Sequence, residues 1–387
     1  MPLRTCNPGR SRWAAALLGM ALTILPVGAG GRTDRLAWTD SEPMLLFYEA
    51  LTRIQANALD PEPPMAVVRA SLREYLKKAD PFADYLTPGE YAAFRMSAMD
   101  ARYSGVGMDI GQDPSGRMIC VPYPGGPAEA GGIVYGDELM AVDGEAVTGQ
   151  STYQVGLRIR GPERTPIRLG IAGRGRMPRT VTVIRSRVRS RSVFTVTRGS
   201  LSIIRILTFT RDTPEALQAA LKAPTGREGV RIIDLTGNMG GDLHAALACA
   251  SLLLPEGSPV VTVTTRDGVR RHTAGPAPAD LASRLYLWQD SRTASAAEVF
   301  VAALIQNRRG VSIGRTSFGK GVAQRVIELM DGSAMMLTYA ELSPPGGRSF
   351  HGEGLAPLVP LPPEPAGAYP PDAYLEKTRQ LIRQSPL

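Results

Sequence analysis

Two residues in this chain stand where covalent chemistry would need them: a serine opening an apolar helix, and a lysine in a glycine-edged loop. Of the 44 lysines and arginines only five are lysine, at positions 77, 78, 222, 320 and 377. Lys320 lies between two glycines in "RTSFGKGVAQ", residues 315–324. A serine hydroxyl attacks a carbonyl efficiently only when a neighbouring base takes its proton. Lysine can be that base if its reference pKa of about 10.4 falls by roughly three units, on the order of 4 kcal/mol. Desolvation lowers an amine pKa in this way, whereas a guanidinium stays protonated. A lysine written into an arginine-rich chain at 320 therefore fits a site whose positive charge must be removable.

The partner hydroxyl is Ser295 in "TASAAEVF". At a helix start it sits near the positive end of the dipole, with the Ala296 N–H available to a developing oxyanion. The stretch Ser295 to Glu298 is also a capping box. Local sequence by itself favours that cap, just as a lone Gly-Lys-Gly is usually a plain turn. Histidine offers no better base. Of the three, His244 falls in an ordinary helix pattern and His272 in the loop-like "RDGVRRHTAG". His351, in "FHGEG", is a candidate site neighbour without the Asp pattern a triad requires. Cys120 and Cys249 lack ligand spacing and read as two buried thiols, so neither metal nor cofactor is expected.

The elements that must position these residues change character along the chain. Residues 1–30 read as a signal peptide: Arg4, Arg10 and Arg12, then "WAAALLGMALTILPVGAG". An uncleaved membrane anchor is the alternative. Residues 31–98 read as a small all-helical lead-in. From 99 to 190 short β-rich runs alternate with Gly, Pro and Asp turns, and one helix-like piece, "STYQVGLRIRG", interrupts them. Arg185, Arg187, Arg189 and Arg191 alternate along an apparent strand, read as a solvated face. Nucleic-acid binding is not expected, because the aromatic residues that often accompany it are missing there. Between 191 and 362 strands and helices alternate, implying a mixed or parallel sheet covered by helices. The tail, 363–387, is a Pro-rich linker followed by a helix. The fold class is mixed α/β.

"SGVG", Ser104, Gly105, Val106 and Gly107, precedes the strand-like "MDI". A glycine turn with a free strand edge beside it can receive a peptide carboxylate and an added strand. The following "PGGPAEAGGIVYGDELMAVDGEAV" closely resembles the central stretch of bacterial PDZ domains.

Taken together, "DPFADYLTPGEYAAF", "IIRILTFTRDTPEALQAAL", "GVRIIDLTGNMGGDLHAALACASLLLPEG" and "TASAAEVFVAALIQNRRGVSIGRTSFGKGVAQ" resemble, in this order, the C-terminal processing (tail-specific) serine proteases. The similarity runs from about residue 45 to 362. It implies a protease core of the ClpP/crotonase-like type after a PDZ domain. On it, Ser295 matches the nucleophile, Lys320 the general base and Gln324 the glutamine supporting the lysine. The oxyanion donors would be the N–H of Ala296 and of Gly240 or Gly241. The resemblance implies protein substrates with apolar, accessible C-termini and activation controlled by the PDZ domain. Its departures are Thr236, Gly237 and Met239 in the oxyanion loop, and Asp290 and Arg292 ahead of the nucleophile. A catalytically silent PDZ scaffold is the rival expectation. The expected setting is periplasmic or secreted, with membrane association only if the leader stays attached. Self-association or an adaptor is expected by analogy alone.

Overall fold

The computed structural model describes residues 42–99, 102–112, 117–150, 152–173, 177–189, 192–225, 229–362 and 372–384. The signal-peptide reading of residues 1–30 and the linker reading of 363–371 lie outside the described residues.

The core is a six-stranded sheet in the order Val193–Arg198, Leu201–Ile206, Val230–Asp234, Arg284–Gln289, Gly310–Gly314 and Val359–Pro360. Its first pair is antiparallel and every later pairing is parallel. Central parallel strands are covered on both faces, and "VRIID" is buried at all five positions, its Arg231 and Asp234 paired with Asp280 and Arg205. Helices Thr213–Leu221, Leu243–Ser251 and Ala296–Gln306 cover one face through Leu217, Leu221, Ala246, Cys249, Phe300 and Leu304. The C-terminal helix Asp372–Gln384 covers the other, where Tyr374 and Leu375 pack with Trp288 and Ile313. Helix Leu243–Ser251 starts where the Asp242 carboxylate accepts the Ala245 N–H at 2.9 Å, the arrangement that makes aspartate a strong N-cap.

A second sheet joins Asp84–Leu86, Ala334–Ser343, Pro259–Thr265 and Gly268–Thr273, with Val322–Glu328 also paired to Ala334–Ser343. The lead-in is therefore not all helical. Between helices Pro64–Ala79 and Pro88–Met99 it sends a three-residue strand onto the edge of this sheet, Asp84 opposite Met336. Three residues are too few to carry a strand period; their partner fixes them. His272 belongs to the strand Gly268–Thr273 rather than to a loop.

The β-rich module has its own sheet: Met108–Gln112, Met118–Pro122, Glu138–Val142, Pro166–Ala172 and Arg179–Ile184 in order, with Glu145–Ala146 paired to the third. Strand Pro166–Ala172 alternates outward and inward residues, placing Ile167, Leu169 and Ile171 in the module's own core. Helix Thr152–Ile159 closes that core with Val155 and Ile159. The arginine stripe is broken at its start. Arg185 is buried, donating to the carbonyls of Ile159, Pro166 and Arg158 and to the Thr165 hydroxyl. It falls between two strands, Arg179–Ile184 and Ser186–Arg189, so the alternation does not continue through it.

Candidate active site

Ser295 stands between the turn that follows strand Arg284–Gln289 and the helix Ala296–Gln306. Its backbone lies at φ 56°, ψ −122°, a region that costs a non-glycine residue of order 1–3 kcal/mol and persists only where the surroundings over-determine it. The surroundings do so here. Asp290 Oδ1 accepts the N–H groups of Arg292 and Gly237, each at 3.0 Å, and of Thr293 at 3.1 Å. The Thr293 hydroxyl donates to the Leu235 carbonyl at 2.9 Å, and the Ala294 N–H to the Asn238 carbonyl at 2.9 Å. The Ser295 N–H donates to Glu298 Oε2 at 2.8 Å. The glutamate half of a capping box is thus present. The Glu298 N–H goes to the Ser295 carbonyl (2.9 Å), and the serine backbone is not in the extended conformation an N-cap ordinarily takes.

Lys320 is 5% exposed and Gln324 3%. The lysine Nζ donates to Gln324 Oε1 at 2.9 Å and lies 5.0 Å from the centroid of the Phe82 ring. Gln324 is oriented in turn, its amide donating to the Phe82 carbonyl. Burial pulls the lysine pKa down to about 8, against the raising effect of the Asp80 and Glu298 charges. About a tenth of such an amine is neutral at pH 7.

Glu298 connects the two loops. Its fully buried carboxylate accepts the Ser317 hydroxyl, the Gly319 N–H at 2.7 Å, and the N–H groups of Lys320 and Ser295, both at 2.8 Å on Oε2. The main chains of Ser295 and Lys320 therefore meet on one oxygen atom. Burial pushes the Glu298 pKa up to about 7, although all four hydrogen bonds favour its ionised form. The glycines flanking Lys320 are required by space. Gly319 has φ 92° and would bring a Cβ within 2.8 Å of the Gly354 nitrogen, while one at Gly321 would lie 2.9 Å from the His351 Cβ. No hydrogen bond joins Lys320 Nζ to the Ser295 hydroxyl in this arrangement.

The oxyanion candidates are divided. Gly240 lies against the serine: a Cβ there would fall 2.9 Å from the Ser295 Cβ and 3.0 Å from the Ala296 nitrogen. Its own N–H, however, is occupied by Asn238 Oδ1 at 2.8 Å. Among the described residues, the Gly241 and Ala296 N–H groups have no intramolecular acceptor.

In the β-rich module a groove runs between strand Met108–Gln112 and helix Thr152–Ile159, lined by Val106, Met108, Asp109, Ile110, Gly156, Ile159 and Arg160. Of the four residues singled out in "SGVG", only Val106 lines it. Ser104 and Gly105 are paired in a strand with Arg187 and Ser186. Gly107, at φ 68°, uses its carbonyl to accept the Tyr123 N–H at 2.8 Å. The groove's apolar lining comes mainly from residues further along.

A PDZ-domain family model matches residues 118–173, and the model for Peptidase family S41 matches residues 200–361. A C-terminal processing peptidase of the chloroplast of Tetradesmus obliquus is 33% identical over 307 residues, covering 74% of this chain and 66% of that protein. The chain belongs to peptidase family S41. It also resembles a carboxy-terminal-processing protease of Bartonella bacilliformis, 27% identical over 82% of this chain and 75% of that one. The solved structure of a photosystem II D1 C-terminal processing protease superposes with a TM-score of 0.66 at 29% identity, covering 83% of this chain and 93% of that one. The chain spans about two thirds of the Tetradesmus relative and 58% of a carboxyl-terminal-processing peptidase of Arabidopsis thaliana.

Several residues of this S41 site escaped the reading of the sequence. Glu298 was visible only as half of a cap. Phe82 and Asp80 act on a lysine far along the chain, and no local pattern announces them. Tyr135, in the PDZ module, donates its hydroxyl to Asp290 Oδ2 at 2.6 Å. Phe318 and Val322 flank the lysine in sequence, but the ring whose contact with its amine is resolved is that of Phe82. His351 does neighbour the site, its ring 5.9 Å from that of Phe82.

Proposed function

We propose that this S41 chain is a serine endopeptidase whose nucleophile is Ser295 and whose general base is Lys320. The observation that carries the reading is a buried lysine with a depressed pKa, held by Gln324, whose main chain shares a carboxylate oxygen with the strained serine. Neutral Lys320 removes the Ser295 proton as Oγ bonds to a peptide carbonyl carbon. The resulting oxyanion is received by the N–H of Ala296 together with that of Gly241. Gly240 contributes space beside the serine in place of a hydrogen bond. The ammonium then protonates the departing amine, and water hydrolyses the acyl-enzyme with the same lysine as base. Apolar C-termini of protein substrates add to strand Met108–Gln112 in the PDZ groove and so bring the chain to the serine.

Lys320 donates to Gln324 in the resting arrangement, without a hydrogen bond to the serine; catalytic hydrogen bonds commonly tighten only when substrate binds. The same feature favours a second reading, a PDZ scaffold that binds tails without cutting them. Purified protein incubated with an unfolded substrate ending in apolar residues separates the two, beside Ser295→Ala and Lys320→Ala. Cleavage by wild type and a loss of at least about a thousandfold in both variants is expected. Equal, negligible cleavage by all three with retained binding of the tail peptide leaves only the scaffold.

Export to the periplasm or outside, with removal of residues 1–30, is part of the proposal; sequencing the N-terminus of the mature protein tests it. No helix among the described residues is long and apolar enough to cross a membrane. Membrane association is proposed only if that leader is retained, and self-association is tested by the mass of the purified chain in solution.

A further inference from the structure

The PDZ module meets the core at several places, among them Tyr123 packed with Leu207 and Phe194. Two of them, the loop 236–241 and the turn 290–293, lie next to Ser295. Tyr135 projects from the module onto both. Its hydroxyl donates to Asp290 Oδ2 (2.6 Å), and a Cβ at Gly237 would lie 2.6 Å from its ring. The Arg292 guanidinium lies over the ring face, 4.2 Å from its centroid, while its Nε and Nη2 donate to the same Asp290 oxygen at 3.2 and 3.1 Å. Asp290 uses its other oxygen for the N–H groups of Gly237, Arg292 and Thr293. One carboxylate thus carries the oxyanion loop on one side, the turn before Ser295 on a second and the PDZ module on a third. A further contact runs alongside: a Cβ at Gly111 would meet the Met239 side chain. Gly111 belongs to the strand Met108–Gln112 that lines the peptide groove, and Met239 precedes Gly240.

We propose that Tyr135, Asp290 and Arg292 form a latch by which the PDZ module sets the geometry of the oxyanion loop, with Tyr135 as a positioning residue for the reaction. The proposal rests on the protease reading for its kinetic consequence but not for its structural one. Tyr135 touches no reacting atom. It acts through Asp290, which has a charged partner in Arg292 and four further donors, and an oxyanion donor misplaced by a fraction of an ångström loses most of its effect. Loss of the tyrosine hydroxyl leaves one buried carboxylate oxygen short of a donor and frees the loop, while Tyr135 is not among the residues that line the groove.

The test is Tyr135→Phe in the full chain, which keeps the ring under Arg292 and removes the hydroxyl alone. Two measurements are made. The first is cleavage of an unfolded substrate with an apolar C-terminus, where kcat falls about tenfold and KM stays within twofold. The second is backbone amide exchange over residues 236–241 and 290–295, which rises about tenfold, with exchange in strands Met108–Gln112 and Val230–Asp234 unchanged. Unchanged exchange in both segments overturns the latch even in an active enzyme, and so does a rise in KM without a fall in kcat. A wild type that cuts nothing refutes the protease reading, and the exchange measurement then decides the latch by itself. If Tyr135→Phe does not fold, Arg292→Lys repeats the experiment: it keeps the charge and loses the planar guanidinium stacked on the ring.

Discussion

Burial is what gives Lys320 its chemistry. A charged amine loses solvation in this loop, and the charges of Asp80 and Glu298 recover only part of that loss, so the pKa settles near 8. Glu298 responds to the same burial in the opposite sense and rises to about 7. On the proposed reading both groups work in their deprotonated forms: lysine to accept the serine proton, glutamate to accept four donors at once. Raising the pH populates both. We expect kcat/KM to climb with pH to a plateau above about 8, with a logarithmic slope near one between 7 and 8 that steepens towards two below 7. A pH–rate profile on a peptide substrate measures it, and a profile flat from 6 to 9 refutes lysine as the base. Lys320→Arg, which keeps the charge but cannot release a proton, should be inactive at every pH. The lysine stands out in the sequence because arginine is so common here that the exception carries information. Glu298 does not, because a cap and a site glutamate share the same three-residue spacing.

At the level of elements, what the sequence revealed and what it concealed divide by range. Strand Val230–Asp234 and helix Ala296–Gln306 announce themselves, the strand by its β-branched Val230, Ile232 and Ile233 and the helix by a long apolar run. Strand Asp84–Leu86 has no such signal; it exists because Ala334–Met336 offers it an edge. The conformation of Ser295 was likewise hidden, being imposed by Asp290, Asn238 and Thr293 from outside the helix it precedes. The oxyanion loop shows how tightly that arrangement is built. Gly240 has φ 104°, and a methyl group there would meet the Ala294 carbonyl and the Ser295 Cβ at 2.9 Å each. Those neighbours are Ser295 and the backbone on either side of it, so room for a methyl group comes only from moving them. Gly240→Ala should therefore displace the serine rather than unfold the protein, because the large apolar cluster beneath the sheet is not involved. The expected outcome is a fall of kcat by 100-fold or more, comparable with losing one oxyanion donor, at nearly unchanged far-ultraviolet circular dichroism. Activity within threefold of wild type would show that the loop is not part of the site.

Across the whole molecule, the periodicity of the sequence changes from a helical lead-in to a β-rich module to an α/β core, and the PDZ character of the module rests on its resemblance. How the first of these serves the last was not legible, because the connection spans 242 residues between Phe82 and Gln324. Phe82 does three things: its carbonyl holds Gln324, its ring faces the Lys320 amine, and its bulk keeps water away from both. The ring and the bulk act on the lysine in opposite senses. The π face attracts the ammonium by about 0.5–2 kcal/mol and so raises the pKa, whereas exclusion of water lowers it. Burial is the largest influence on Lys320 and takes its pKa down to about 8. Two substitutions separate these effects. Phe82→Leu keeps an apolar side chain of similar reach and removes the π face, so the ascending limb of the pH–rate profile should move down by about half a unit. Phe82→Ala admits water, so the limb should move up by about one unit, cutting the rate at pH 7 roughly tenfold and restoring it near pH 9. Ala at this site also opens a cavity costing about 3–5 kcal/mol, so the profile is taken at a temperature where circular dichroism shows the variant folded. Limbs that shift in the same direction for both variants would mean that the lead-in only braces the core and does not tune the lysine.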